Sequence, residues 1–250
     1  MYTNLIHKSM NVVLDYRFCV FIAGWLIMAS NSLWAQQANA KEADSLTENS
    51  KQSKKRNVAI LIHNGVEILD FAGPSEVFAS TEGFNVYTVS LTKEPIISQG
   101  FIKITPSYSL TDCPKPDIVV LPGGDTGPFI KNKLLIDWIK QSATQAEVLL
   151  SVCTGAGLLA KAGLLDGKQA TTFHSYIEPL QRATPKAEIL ANTRFVDNGQ
   201  IITTAGVSAG IDGALHVVSK LKGLGIAQQT ARYMEYDKWK PEEGLVVEHK

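Results

Sequence analysis

Val148-Leu149-Leu150-Ser151-Val152-Cys153-Thr154-Gly155-Ala156-Gly157-Leu158-Leu159-Ala160 is a short apolar run that breaks at a cysteine into small residues and then helix formers. It predicts a buried strand over 148–152 turning abruptly into a helix. That junction displays its residue at a sharp elbow, with the helix's unpaired N–H groups just beyond. Those groups favour an anion, so Cys153 is expected to ionise more readily than a free cysteine and to act as a nucleophile. The alternative is a small buried hydrophobe packed in a strand; the glycine-rich elbow favours the nucleophile.

Working outward, further apolar strand-like runs occur at 57–62, 85–91, 118–121 and 170–173, with helical segments at 74–80, 134–145, 154–162 and 176–183. Short apolar strands alternating with helices imply a parallel sheet covered on both faces. The predicted fold is a three-layer α/β/α sandwich with a flavodoxin-like, mostly parallel sheet and a nucleophile elbow. Residues 97–110 depart from the alternation as an extended excursion. Residues 194–204 predict two strands around the turn Asp197-Asn198-Gly199. A helix follows over 208–221, stopped by Gly223, and a last one covers 225–236.

In open α/β sheets ligands bind beyond the carboxyl ends of the strands. Five segments with polar or glycine-rich residues follow strands here: Asp70, Gly123-Gly124, Cys153-Thr154, His174 and Ala205-Gly206. Topology brings them to one rim. Gly123 and Gly124 let the backbone aim N–H groups inward beside the Thr154 amide, as an oxyanion hole, or else form an ordinary tight turn. Gly206 joins them as a candidate substrate-binding position. Asp70 is a candidate general acid or base, with helix capping as the alternative. His174 is the natural base for a Cys–His pair, or a loop residue that orders the following helix. Glu76 is a second candidate carboxylate, inward or solvent-facing. His216 is expected to be structural, and His63 has lower priority at the rim. No cofactor is expected, and no Cys, His, Asp or Glu arrangement has metal-ligand spacing.

Residues 1–40 carry Lys8 and Arg17, an apolar stretch over 18–33, and Ala38-Asn39-Ala40, the pattern of a secretory signal. Cleavage after Ala35 is an alternative, as is a retained signal anchor. The expected location is the periplasm, with no membrane association once the signal is removed. Residues 41–56 form a polar linker without an apolar period, expected to be disordered. The domain is expected over 57–240 with a tail at 241–250, about 190 residues in all, enough for one core. The chain has 24 basic and 24 acidic side chains; setting aside Lys8, Arg17 and Asp15 leaves 22 and 23. With no basic stripe interleaved with aromatics, no nucleic-acid partner is expected. Of the three cysteines, Cys19 goes with the signal. Cys113 precedes its strand and Cys153 follows its own, which puts them about 15 Å or more apart, beyond the roughly 7 Å Cα limit of a disulfide.

The chain resembles the ThiJ/PfpI superfamily, whose fold is similar to class I glutamine amidotransferases. The resemblance covers residues from about Asn57 to Tyr236. It is carried by Asp70-Phe71-Ala72-Gly73-Pro74-Ser75-Glu76-Val77-Phe78, Leu121-Pro122-Gly123-Gly124, Ser151-Val152-Cys153-Thr154-Gly155-Ala156 and Ala205-Gly206-Val207-Ser208-Ala209-Gly210-Ile211-Asp212. These segments are similar to the isonitrile hydratase branch. That branch shares its domain with regulators that add a helix-turn-helix region, and no such region is expected after the domain here. The resemblance implies a nucleophilic Cys153, an essential acidic Asp70, Thr154 assisting at the elbow, a small-molecule substrate and a homodimer. The implied reaction is a lyase-type hydration of an isonitrile to a formamide. Glutathione-independent glyoxalase or deglycase activity, and a non-enzymatic envelope redox sensor or holdase, are the alternatives. Peptidase members place His directly after the nucleophile, where Thr154 stands here. Related chains commonly read Thr-Thr-His-Trp where this one reads Thr171-Thr172-Phe173-His174-Ser175. The histidine is displaced by one residue, which in a strand flips its side chain to the other face.

Overall fold

The computed structural model describes residues 55–248. The expected signal segment, and residues 41–54 of the expected linker, lie outside the described residues. Arg56, expected as the linker's last residue, instead opens strand β1 (Arg56–Leu61), where its Nε donates to Glu147 Oε1 at 2.7 Å.

The elements that follow are α1 (Ile68–Ala79), β2 (Phe84–Ser90), β3 (Ile96–Ser98), β4 (Ile102–Ile104), β5 (Tyr108–Ser109), β6 (Ile118–Leu121), α2 (Lys133–Ala143) and β7 (Val148–Ser151). After the elbow come α3 (Ala156–Lys161), β8 (Gln169–Ala170), α4 (Ile177–Ala183), β9 (Glu188–Ile189), β10 (Phe195–Asn198), β11 (Ile201–Thr204), α5 (Ala209–Lys222), α6 (Leu224–Tyr233) and β12 (Leu245–Val246). The main sheet has the order β12-β10-β11-β7-β6-β1-β2-β5. Its strands from β11 to β5 are parallel, and β10 turns back antiparallel on β11.

The period-2 pleat sorts each central strand between two cores. Ala59, Leu61, Val119, Leu121 and Leu149 face a core shared with Leu135, Ile139, Leu158 and Leu180 of α2, α3 and α4. Val58, Ile60, Val120 and Leu150 face the other, with Val77, Phe78, Leu215, Val218 and Ala227 of α1, α5 and α6. Burial on both faces is why these strands are apolar without alternation. The expected three-layer sandwich with a mostly parallel sheet is what the chain forms.

Three expectations change and a fourth is refined. Helix α1 begins at Ile68, six residues before the expected start at Pro74, so Asp70 is helical and not in a loop. Its buried residues Asp70, Gly73, Pro74, Val77 and Phe78 have helical spacing; a carboxylate occupies the first buried position and masks the period. Pro74 lies inside the helix, and α1 lies close to α5 at the preceding residue: a Cβ on Gly73 would come 2.8 Å from Ile211 Cγ1. Second, the strand expected over 170–173 is only β8, paired with β9 in a separate two-stranded sheet, so His174 does not follow a strand of the main sheet. Third, the expected tail contributes β12, which pairs with β10, so the fold continues past residue 240. Finally, the 97–110 excursion is a β3–β4 hairpin followed by the edge strand β5.

Candidate active site

Buried Val152 follows β7, and the chain turns through a single 3-10 turn, Cys153–Gly155, into α3. Cys153 has φ +58°, a conformation that costs an L-residue roughly 1–2 kcal/mol. Its neighbours hold it there: its N–H donates to Ala205 O at 3.1 Å, and Thr172 Oγ1 donates to its carbonyl at 2.6 Å. Gly155 is required beneath the elbow, since a Cβ would sit 2.0 Å from Leu121 O.

Asp70 reaches the sulfur from the first turn of α1 and is fully buried. Gly123 N–H donates to its Oδ2 at 2.9 Å and Val207 N–H to its Oδ1 at 3.1 Å. Val207 has φ +54°, which turns its N–H toward the carboxylate. Burial pushes the Asp70 carboxyl up to about 7, against these two donors and a hydrogen bond with Cys153, and with the charge of Glu67 adding to the rise.

Cys153 is 6 % exposed. Burial first, then the negative charge of Asp70, push its thiol up to about 12, while a hydrogen bond from the Thr154 amide pulls it down. The expected low-pKa thiolate is therefore not what the structure holds. The elbow amide is present, but desolvation and two nearby carboxylates outweigh it. The site stores its proton as a thiol next to a carboxyl that titrates near neutrality.

The glycine pair does different work from that expected of an oxyanion hole. Gly123 N–H is taken by Asp70, and Gly124 N–H donates to Thr154 Oγ1 at 3.1 Å. Thr154 Oγ1 in turn donates to Gly124 O at 3.0 Å, tying the elbow to the loop after β6. A side chain at Gly123 would meet the Thr154 nitrogen at 2.6 Å and Cys153 Cβ at 2.8 Å, and Gly124 has φ +100°. Gly206 stands under Phe173, whose Cδ2 a Cβ would approach to 2.3 Å.

Asp70, Cys153, Thr154, Gly123 and Gly124 thus come together as the sequence led one to expect. His174 and Glu76 do not join them. His174 is exposed, its ring lies 4.2 Å from that of Phe173, and no hydrogen bond joins it to Cys153 among the described residues. Glu76 is exposed on the outer face of α1, where its Oε1 accepts from Ser80 Oγ. His63 is 1 % exposed, packed 4.5 Å from the Phe129 ring, and burial lowers its pKa. His216 is structural, bonded to Asp197 at 2.8 Å. Cys113 and Cys153 are both free thiols.

Two contributors, Val207 and Glu67, escaped the sequence, and a third, Ala205, was expected at the rim without a role. Val207 and Ala205 act through their backbones, which leave no trace in residue type. Glu67 could have been suspected from its spacing of three residues from Asp70, which places both at the start of one helix.

The DJ-1/PfpI family model matches residues 56–220. Over 180 residues the chain is 35% identical to isonitrile hydratase of Pseudomonas putida, covering 72% of this chain and 78% of that protein. It is 24% identical over 188 residues to protein dj-1beta of Drosophila melanogaster, covering 71% and 95%. A THiJ/PfpI family protein from Pseudomonas syringae has a similar structure, with a TM-score of 0.68 and 29% identity over 75% of this chain and 77% of that one. The structure of Drosophila melanogaster DJ-1beta shares the fold at a TM-score of 0.65 and 23% identity, over 72% and 98%. Family model, sequence relative and fold agree: the chain belongs to the DJ-1/PfpI family.

Proposed function

We propose that the chain is a cysteine-dependent hydratase of a small electrophile, with an isonitrile as substrate and Asp70 as the proton carrier. The observation that carries this is the buried thiol–carboxyl pair. At about 12, Cys153 is overwhelmingly a thiol at neutral pH, so attack requires an acceptor for its proton at the moment of bond formation. Asp70, at about 7, is that acceptor and can hand the proton on.

In the first step the sulfur bonds to the terminal isonitrile carbon. The thiol proton passes through Asp70 to the same carbon, giving a thioimidate, R–N=CH–S–Cys153. Water then adds to that carbon; Asp70 takes a proton from it while the nitrogen gains one. As the carbon–oxygen double bond forms, the carbon–sulfur bond breaks and the sulfur recovers its proton. The sum is isonitrile plus water to N-substituted formamide. The 35% identity to an isonitrile hydratase supports the choice of substrate. A redox-sensor role is less well served, because oxidation begins from a thiolate. Export to the periplasm and a homodimeric assembly are part of the same proposal, supported by the basic, apolar and small-residue order of residues 1–40 and by the family resemblance.

The test is N-alkylformamide production from a simple alkyl isonitrile by the parent protein, Cys153→Ala and Asp70→Asn. Turnover by the parent alone is expected. Equal turnover by either variant, or none by the parent, overturns the proposal. Lactate from methylglyoxal without glutathione, in the absence of formamide, moves the assignment to a glyoxalase.

A further inference from the structure

A cavity of about 490 Å³ opens beside the segment that follows β8, a volume in the range of small-molecule pockets. Its walls include Thr172, His174, Asn192, Arg194, Ala205 and Glu243, and neither Cys153 nor Asp70. The proton chemistry of the thiol–carboxyl pair therefore does not account for it.

Two features make it more than a surface hollow. The first is that its walls carry both signs of charge. The Arg194 guanidinium is held by buried Asp212 through Nε, by Ser208 Oγ at 3.0 Å through Nη2, and by Tyr236. A guanidinium has five N–H donors, so it keeps donors for a further carboxylate. Glu243 is exposed, with Oε1 accepting from Lys240 Nζ at 2.9 Å, and a carboxylate has acceptor sites beyond one such bond. One fixed cation and one carboxylate, with the Asn192 amide and threonine hydroxyls, match a small molecule that carries both an anionic and a cationic group.

The second feature is the wall's attachment to the nucleophile's backbone. Thr172 donates to the Cys153 carbonyl and Ala205 accepts from the Cys153 N–H. Both line the cavity, and together they grip a residue at φ +58°. A strained residue persists only while its surroundings over-determine it. A ligand that moves or stiffens this wall acts on the elbow directly.

We infer that this cavity is a second ligand site, for an amino-acid-like zwitterion whose carboxylate meets Arg194 and whose ammonium meets Glu243, and that its occupancy changes the reactivity of Cys153 through Thr172 and Ala205. The experiment uses the full chain with L-alanine as probe. L-alaninamide, which lacks the carboxylate, and propionate, which lacks the ammonium, are the controls. Thermal melts report binding, and peptide-level mass spectrometry of iodoacetamide labelling reports the alkylation rate at Cys153. A saturable rise in Tm with L-alanine only is expected, with a change of about fivefold in alkylation rate, the lower range of allosteric couplings. Arg194→Gln disturbs the pairing of buried Asp212 and so threatens the fold. Glu243→Gln changes an exposed side chain and is expected to fold normally and lose both responses. No saturable shift, equal shifts with all three compounds, or an undiminished shift in Glu243→Gln overturns the site. A shift that leaves the alkylation rate unchanged overturns the coupling.

Discussion

Replacing Asp70 by Asn should stabilise the protein at pH 8 while removing its activity. Burial lifts the Asp70 carboxyl from 3.8 to about 7. A carboxyl with a raised native pKa binds its proton more tightly folded than unfolded. Its stabilising contribution is complete below 3.8 and is lost as pH rises to about 7. The gap of about three pH units corresponds to about 4 kcal/mol, at about 1.4 kcal/mol per unit. Asparagine does not titrate, so at pH 8 it escapes that loss. Against this, Asp70 accepts from both Gly123 N–H and Val207 N–H, and an amide offers a single oxygen. Leaving one donor facing an NH2 group costs about 1–3 kcal/mol. The variant should therefore be more stable than the parent by about 1–3 kcal/mol at pH 8. Between pH 5 and pH 8 the parent should lose about 2.5 kcal/mol that the variant keeps. His63, whose pKa is lowered by burial, has the same surroundings in both proteins, so its contribution cancels in the comparison. Cys153 is protonated throughout. Urea denaturation of both proteins at pH 5 and pH 8 checks this. Parallel pH dependence within about 0.5 kcal/mol would show that Asp70 is not held protonated by burial, and the proton-carrier role would fall with it.

Gly206→Ala places a methyl group against the Phe173 ring at 2.3 Å and is expected to cost about 1–3 kcal/mol by overpacking. In a Phe173→Leu background the cost should shrink, and additive losses in urea melts would refute the contact. Burial pushes the Asp197 carboxyl up, but hydrogen bonds from His216 and Lys220 outweigh it and hold the group below its usual range. Its contribution is therefore present above pH 3.8 and is lost as pH falls through the lower native value. Asp197→Asn should lower stability at pH 7 by about 1.5–3 kcal/mol and flatten the acid limb of a stability–pH curve, with an unchanged limb as the contrary result.

Isonitrile chemistry aside, the stabilising effect expected of Asp70→Asn illustrates how the site differs from an ordinary buried carboxylate. The structure keeps a costly group in the core and surrounds it with backbone donors from two loops. It also holds two non-glycine residues, Cys153 and Val207, at positive φ beside it. Such strain gathers where geometry serves chemistry.

The sequence determined the layers, because strands 118–121 and 148–152 are apolar on both faces and only a sheet covered by helices buries both. It also determined the elbow, because Cys153 stands between a buried strand and a glycine-bearing helix start. The turn at Asp197-Asn198-Gly199 was legible too, with Gly199 at φ +85°. Only the tertiary structure decided which groups meet the sulfur. Asp70 lies on the buried stripe of α1, where a polar residue hides the helical period, and His174 follows a strand of a side sheet, where no local signal distinguishes it from a rim residue. The protonation state of Cys153 was likewise beyond the sequence. An elbow amide lowers a thiol's pKa and burial beside carboxylates raises it, and the balance depends on distances and desolvation that exist only after the chain has folded.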